Sequence, residues 1–239
     1  MKQQSIVDFH SHILPRVDHG CANEKEAVRQ LRMASQAGIS IMIATPHFYP
    51  HKESFVEFDA RRQKGWKKHI LLNKNESFPE VLLGAEVFIC RGMERMPELE
   101  KLCIQGTKTL LLEMPFRKWS DELMETVIEI QNRRKLTVVL AHVERYQPEQ
   151  VEILFQNGIH GQINVSTLTR VFIKREWKKW IKAGYIVALG SDLHGTNWKT
   201  LRFDKVRKKM KHSFGKIMKL SEALIFSDLT ISEETQNGE

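Results

Sequence analysis

Three observations predict an α/β fold in which parallel strands, joined by helices, close into a barrel. Short aliphatic runs alternate with longer amphipathic stretches almost from end to end of the chain. The runs are nearly all apolar rather than alternating, as parallel strands are when helices cover them. Six of the seven runs also finish in, or just before, a histidine or an acid. Repeated strand and helix allow an open sheet or a closed barrel, and polar residues gathered at strand C-termini favour the barrel, whose sites lie on that shared face.

The predicted strands are Ser5 to Phe9, Ile39 to Ala44, Val81 to Glu86, Thr109 to Glu113, Leu136 to Ala141, Gly161 to Val165 and Tyr185 to Leu189. Between the first two, Asn23 with Glu26 forms a capping-box pattern, Ala27, Leu31 and Ala34 make an apolar stripe, and Gly38 can take the left-handed stop. Ser120 caps a helix opened by Asp121 and Glu122, whose charges suit its positive end. Pro148 fits a first turn and Gly158 its end. Phe172, Ile173, Trp177, Trp180 and Ile181 fall mostly on one helical face before Gly184, a stripe expected in the core. No repeat or linker interrupts the pattern, so one domain is expected over 1–227, followed by a frayed acidic tail over 228–239.

Composition bounds the rest. Hydrophobic residues make up 41% of 239 positions, enough for a sizeable core, and no run approaches the roughly 20 apolar residues of a membrane span. The N-terminus has no secretory pattern, so a cytoplasmic protein is expected. Cys21, Cys90 and Cys103 show no paired metal spacing and read as reduced bystanders. The net charge of +8 favours acidic partners. Much of it crowds between Lys199 and Lys219, where a solvated helix face competes with a dedicated patch.

His10-Ser11-His12 follows the first run, and side chains two apart on extended backbone point the same way, so both imidazoles can reach one ion. The later runs finish at His47, Glu86, Glu113, His142 and Asp192-Leu193-His194. Oxygen and nitrogen ligands without thiolate suit manganese, iron, cobalt or zinc, with magnesium less apt beside so many imidazoles. A set that also includes His19 exceeds what one ion needs, and its carboxylates can bridge.

The segments Asp8-Phe9-His10-Ser11-His12, Thr45-Pro46-His47, Gly84-Ala85-Glu86, Leu112-Glu113-Met114-Pro115-Phe116, Ala141-His142-Val143-Glu144-Arg145-Tyr146 and Ser191-Asp192-Leu193-His194 resemble the polymerase-and-histidinol-phosphatase (PHP) superfamily. Within it they resemble the bacterial CpsB/YwqE-type tyrosine phosphatases of capsular and exopolysaccharide operons. The likeness spans residues 5 to 200 in order. It implies a distorted seven-stranded TIM-like (β/α)7 barrel holding three divalent ions, usually manganese. His10, His12, Glu86 and Asp192 would hold the first ion, and Glu86, Glu113 and His142 the second. His47, His194 and a residue after the first strand would hold the third. There the branch reads Asp-Asp-Gly and this chain Asp18-His19-Gly20, so His19 is expected to coordinate, with Asp18 its competitor. Arg145 resembles the family's phosphate-binding arginine. A second arginine of the family falls near Lys199, with Arg202 the alternative.

The resemblance implies hydrolysis of protein phosphotyrosine, with a bacterial tyrosine kinase tail as partner and no specific nucleic acid. A docking contact with anionic membrane is a further expectation for the basic segment. Cysteine-based phosphatase chemistry is excluded, because the positions six after each cysteine are Ala27, Met96 and Thr109 rather than arginine. Two rivals stand beside this reading: a small phosphate ester as substrate, and a catalytically silent metal-binding or nucleic-acid-binding regulator.

Overall fold

The computed structural model describes residues 5–72 and 78–226, and among these nine short strands and eight helices alternate. The strands are β1 (Val7–Ser11), β2 (Ile41–Ala44), β3 (His47–Phe48), β4 (Glu80–Leu83), β5 (Glu86–Phe88), β6 (Thr109–Glu113), β7 (Thr137–Leu140), β8 (His160–Asn164) and β9 (Ile186–Gly190). The helices are α1 (Glu24–Gln36), α2 (Phe55–Leu72), α3 (Asp121–Arg134), α4 (Pro148–Gln156), α5 (Val165–Leu168), α6 (Arg175–Ala183), α7 (Phe203–Met210) and α8 (His212–Phe226). The expected tail at 228–239 lies outside the described residues.

Every strand pairing is parallel, in the orders β1-β2-β4 and β3-β5-β6-β7-β8-β9. The seven predicted runs become nine strands for two reasons. The run Val81 to Glu86 breaks at Gly84-Ala85, and the track of Ile39 to Ala44 resumes past its predicted end as β3, beyond Thr45-Pro46, where proline offers no N–H to a ladder. Gly84 N donates to Ala44 O at 2.8 Å and Glu86 N to Pro46 O at 3.1 Å, so the two tracks stay side by side across their breaks. Counted as tracks, the spatial order is the sequence order. Asp192 N donates to His10 O (2.8 Å) and His12 N to Leu193 O (3.2 Å), which joins the last track back to the first at the C-terminal end. The contact there is a single bridge, Ser11 to Leu193, so the ring is distorted at this seam.

Helix ends follow the sequence signals. Asn23 Oδ1 accepts from Glu26 N at 3.1 Å and opens α1, while Ser120 Oγ accepts from Leu123 N at 3.4 Å and opens α3. Gly184 stops α6 with a φ of 85°. The expected stripe before it is half right: Trp177, Trp180 and Ile181 are buried, but Phe172 is 87% exposed. The helix starts only at Arg175, so Phe172 and Ile173 lie outside its period.

One apolar cluster lies between strands and helices, including Leu112, Val138 and Leu140 on the strands and Leu31, Val127 and Leu154 on the helices. A second gathers Val7, Ile41, Ile43, Leu111, Val139 and Val187 around Ile225 of α8. Helix α8 runs across the strand starts, where Thr109 Oγ1 donates to Leu224 O (3.0 Å) and Ser221 Oγ to Val187 O (2.9 Å). The N-terminal end of the ring is thereby filled with aliphatic side chains, and polar groups are left to the opposite end.

Candidate metal centre

All the polar strand endings arrive at one place. From β1 come His10 and His12, from β3 His47, from β5 Glu86, from β6 Glu113, and from just beyond β7 and β9 His142, Asp192 and His194. His10, His12, His47, Glu86, Glu113 and His142 are buried. Glu86 lies at the middle. Its Oε2 is 3.2 Å from His10 Nε2, 3.3 Å from His12 Nε2 and 2.8 Å from His47 Nδ1, and its Oε1 is 2.9 Å from His142 Nε2. Asp192 Oδ1 lies 3.8 and 3.6 Å from His10 Nε2 and His12 Nε2, and 3.4 Å from His194 Nδ1. Glu113 stands 3.7 Å from His142 Nε2 and 4.0 Å from His47 Nδ1.

The geometry behind the rings says what their inner atoms are for. His12 Nδ1 is 2.7 Å from Asp18 Oδ2, His10 Nδ1 is 3.2 Å from Gln162 Oε1, and His142 Nδ1 is 3.2 Å from Tyr146 Oη. Nδ1–H donated backwards in each ring is the arrangement of metal-ligating histidines, leaving the three Nε2 atoms to a cation at the centre. Without a cation the contacts between His10 Nε2 and His12 Nε2 (3.1 Å) and between His142 Nε2 and Glu86 Oε1 (2.9 Å) each need a proton. Among the described residues Glu86 Oε2, His47 Nδ1 and His194 Nε2 are buried without a hydrogen-bond partner, even though the first two lie 2.8 Å apart. Buried acceptors aimed at one another cost free energy unless a proton or cation sits between them.

Charge tells the same story. Burial, followed by the nearby Glu86 carboxylate, pushes Glu113 up to about 7. Burial works against a charged His12, but Asp18 and Glu86 outweigh it and raise the ring to about 10. Burial also opposes ionisation of Asp192, yet the imidazoles around it hold its carboxyl well below the usual carboxylate range. The donors form three tight groups, His12–His47–His194, His10–His12–Asp192 and His47–Glu86–Glu113, and the ligand atoms within each lie within 4.8 Å of one another. Nitrogen and oxygen donors with shared carboxylates fit borderline divalent ions.

Backbone is bent to make these approaches. His142 and Asp192 both take left-handed conformations, with φ of 33° and 51°, uncommon for side chains other than glycine. Each is held there: His142 N donates to Gln162 Oε1 at 2.8 Å and Asp192 N to His10 O at 2.8 Å. A Cβ at Gly190 would come within 2.6 Å of His10 Cβ and 2.7 Å of Gln162 Nε2, so only glycine leaves room for both.

The residues predicted from sequence are placed as follows. His19 is exposed, its ring stacked 5.0 Å from that of His47 and 4.5 Å from that of His194, beside the cluster. Its competitor Asp18 is committed elsewhere, taking His12 Nδ1, Gly20 N (2.8 Å) and His47 N (3.1 Å). Arg145 reaches the rim, where Nη2 meets Asp192 Oδ2 at 2.6 Å with the side chain 43% exposed. Lys199 is exposed, and among the described residues no hydrogen bond or ion pair joins its ammonium to the cluster. Arg202 forms a fork to Asp204 at 2.8 and 2.9 Å. Sequence reasoning missed Gln162, which serves His10 and His142 and passes a 2.8 Å bond to Asn164, which in turn donates to Asp192 Oδ2 at 3.0 Å. Two amides, Gln162 and Asn164, two apart on one face of a strand were the available signal.

Histidines and carboxylates gathered at the C-terminal mouth of a parallel α/β ring define a protein built around a multi-donor metal centre. Residues 6–227 match the CpsB/CapC family of capsular polysaccharide synthesis, and the chain belongs to that family. It is 25% identical over 221 residues to the tyrosine-protein phosphatase YwqE of Bacillus subtilis, covering 88% of this chain and 85% of that one. To the tyrosine-protein phosphatase CpsB of Streptococcus agalactiae it is 23% identical over 232 residues, covering 88% and 92%. A crystal structure from work on YwqE of Bacillus subtilis and CpsB of Streptococcus pneumoniae, described as metal-dependent tyrosine phosphatases, superposes with a TM-score of 0.75 at 24% identity, over 92% of this chain and 94% of that one. That likeness bears out the expected fold.

Proposed function

We propose that this chain is a metal-dependent protein-tyrosine phosphatase serving capsular or exopolysaccharide synthesis, with a bacterial tyrosine kinase as its substrate protein. One observation carries the reading: three histidines anchored at Nδ1 from behind turn their Nε2 atoms towards Glu86 and Asp192, beside an arginine at the rim. The names of the relatives supply the substrate class.

His10, His12, Glu86 and Asp192 would hold one ion and Glu86, Glu113 and His142 a second. His47, His194 and His19 would hold a third, and manganese fits the donors. Divalent ions bound there supply Lewis acidity and lower the pKa of coordinated water from 15.7 towards about 7. The chain's own residues do the rest. Arg145 turns its fork from Asp192 to the phosphoryl oxygens, matching their geometry and charge. Asp18, Gln162 and Tyr146 hold three imidazoles in the ligating orientation. The leaving phenolate, with a pKa of about 10, departs without a strong general acid. Lys199 belongs to the phosphate site only if its loop closes on substrate.

Protein purified without chelator should hydrolyse a phosphotyrosine peptide, lose turnover on metal removal, and lose it in His10→Ala and Glu113→Ala while still folded. A strong preference for histidinol phosphate or a nucleotide would remove the tyrosine assignment. Failure of the folded, metal-loaded protein to turn over any phosphate ester would leave the silent regulator.

The same proposal places the protein in the cytoplasm, against an anionic membrane face. No described helix is long and apolar enough to cross a membrane. Lys178, Lys182, Lys209 and Lys216 line a groove of about 600 Å³ between α6 and α8, beside the exposed Val171 and Phe172. Cations around exposed apolar tips suit anionic lipid. Flotation with phosphatidylglycerol vesicles, weakened by salt and by Phe172→Ser, is expected; absence of flotation removes the contact.

A further inference from the structure

Beside the metal centre the strand ends open onto a second depression. Phe88 closes β5 two residues after Glu86, and Pro115 follows Glu113 by two, so the loops that leave two ligand-bearing strands form its wall. The cavity measures about 640 Å³, within the range of ligand pockets. Trp119 is its buried floor, with Nε1 donated to Pro115 O at 2.9 Å. His51, Arg91, Arg117 and Lys118 line it, and no carboxylate does. Arg91 is paired with Glu122 at 2.8 Å, whereas exposed Arg117 and Lys118 have no acidic partner among the described residues.

Aromatic rings lead from the metal ligands into this cavity. His47 and Tyr49 stack at 5.2 Å, Tyr49 lies 5.8 Å from Phe88, and Phe88 lies 5.3 Å from His51. On the other flank Phe116 is 63% exposed, 5.6 Å from the His142 ring and under the Arg145 guanidinium at 5.8 Å. The ring also stacks 5.9 Å from Tyr146, and the exposed part of it, at the edge of a charged centre, suits another aromatic ring.

We propose that this depression is the subsite for the polypeptide on either side of the phosphotyrosine. Phe116 lies against the phenyl ring, and Arg117 and Lys118 select acidic neighbours. The inference rests on the tyrosine reading above. A phosphoryl group held by Arg145 leaves its phenyl ring at the height of Phe116, and the chain bearing that ring must then leave over the loops after β5 and β6. A small phosphate ester would leave the cavity empty. With Glu122 taken by Arg91, Arg117 and Lys118 are left to attract acidic side chains and repel basic ones, so charge sets the preference.

The test compares kcat/KM for one phosphotyrosine peptide carrying glutamates beside the phosphotyrosine with its glutamine counterpart, using metal-loaded full-length protein. The acidic peptide should be favoured by about tenfold at low salt, shrinking as salt rises. Arg117→Glu combined with Lys118→Glu should invert the ratio, and Phe116→Ala should raise KM for both peptides alike. All three side chains are exposed, and unchanged circular dichroism and melting keep the comparison fair. Equal efficiency for the two peptides, or a ratio unmoved by charge reversal, overturns the subsite and leaves the tyrosine reading standing. Hydrolysis of para-nitrophenyl phosphate without hydrolysis of either peptide overturns both.

Discussion

Leu111 and Glu113 lie two residues apart on one face of β6, yet they belong to opposite worlds. Leu111 is packed with Val7, Ile43 and Val139 in the aliphatic plug that α8 closes from below. Glu113, one step towards the strand's end, faces His47 and His142 across gaps too long for hydrogen bonds. The plug is satisfied without any ligand, since apolar burial stabilises it directly. The mouth is not, because its lone pairs meet one another. Division of labour along a single strand therefore explains how the barrel can be stable and still carry a centre poised for cations.

The strongest way to break this contrast is to exchange the two effects. Glu113→Gln should lower turnover of a phosphotyrosine peptide by about a thousandfold, the several kcal/mol that a lost metal ligand removes. Metal-free protein should melt no lower than wild type, because a buried carboxylate beside Glu86 has been neutralised. Retained activity would detach Glu113 from the chemistry. Leu111→Ala is the mirror image, with a stability loss of roughly 3 kcal/mol from a cavity in the plug and near-normal turnover per folded molecule. Denaturant melts read the first and a titrated active fraction the second.

Between plug and mouth sits Gln162, and it sharpens the boundary. Gln162→Leu keeps the volume but strips partners from His10 Nδ1 and His142 N. Supporting residues of this kind are typically worth about 10- to 100-fold in metal affinity, so a competitive metal titration should weaken by that factor. An unchanged affinity would mean that the rings are held by packing alone.

What was legible in the sequence follows from how each residue advertises itself. His10, His47, Glu86, Glu113, His142 and Asp192 stood out because each closes an apolar run, and a parallel fold must bring such endings together. The α1 and α3 caps, Asn23 and Ser120, were equally plain. Gln162 was not singled out, Asp18 was read only as a rival ligand and Tyr146 only as part of a motif, because a residue that acts through another carries no spacing of its own. The breaks at Thr45-Pro46 and Gly84-Ala85 were hidden for a different reason. Extended backbone continues past each break while the ladder is interrupted, so the residue pattern alone does not mark the end of one strand and the start of the next. The exposure of Phe172 was also unreadable, since helical spacing persists three residues before the helix itself begins.

Histidine itself gives the subtlest comparison, because one side chain meets opposite fates in two regions. At the mouth His12 has Asp18 and Glu86 to stabilise its charge, and it is raised. His69 shares the buried face of α2 with Phe58, Arg62 and Gly65, stacks on Trp66 at 5.3 Å, and has no partner on either nitrogen among the described residues. Burial alone lowers it to about 4. Its folded value lies below the unfolded value of 6.5, so the unfolded chain takes up the proton first as pH falls. The stability that neutral His69 contributes is therefore intact above pH 6.5 and drains away between about 6.5 and 4. Between pH 7.5 and 5.5 that amounts to about 1 kcal/mol, which His69→Leu should abolish. Because the mouth histidines titrate in both proteins, the quantity to measure is the difference between wild type and His69→Leu in denaturant midpoint at the two pH values. A difference that stays constant would place a charge-stabilising partner beside His69 and erase the contrast between the two regions.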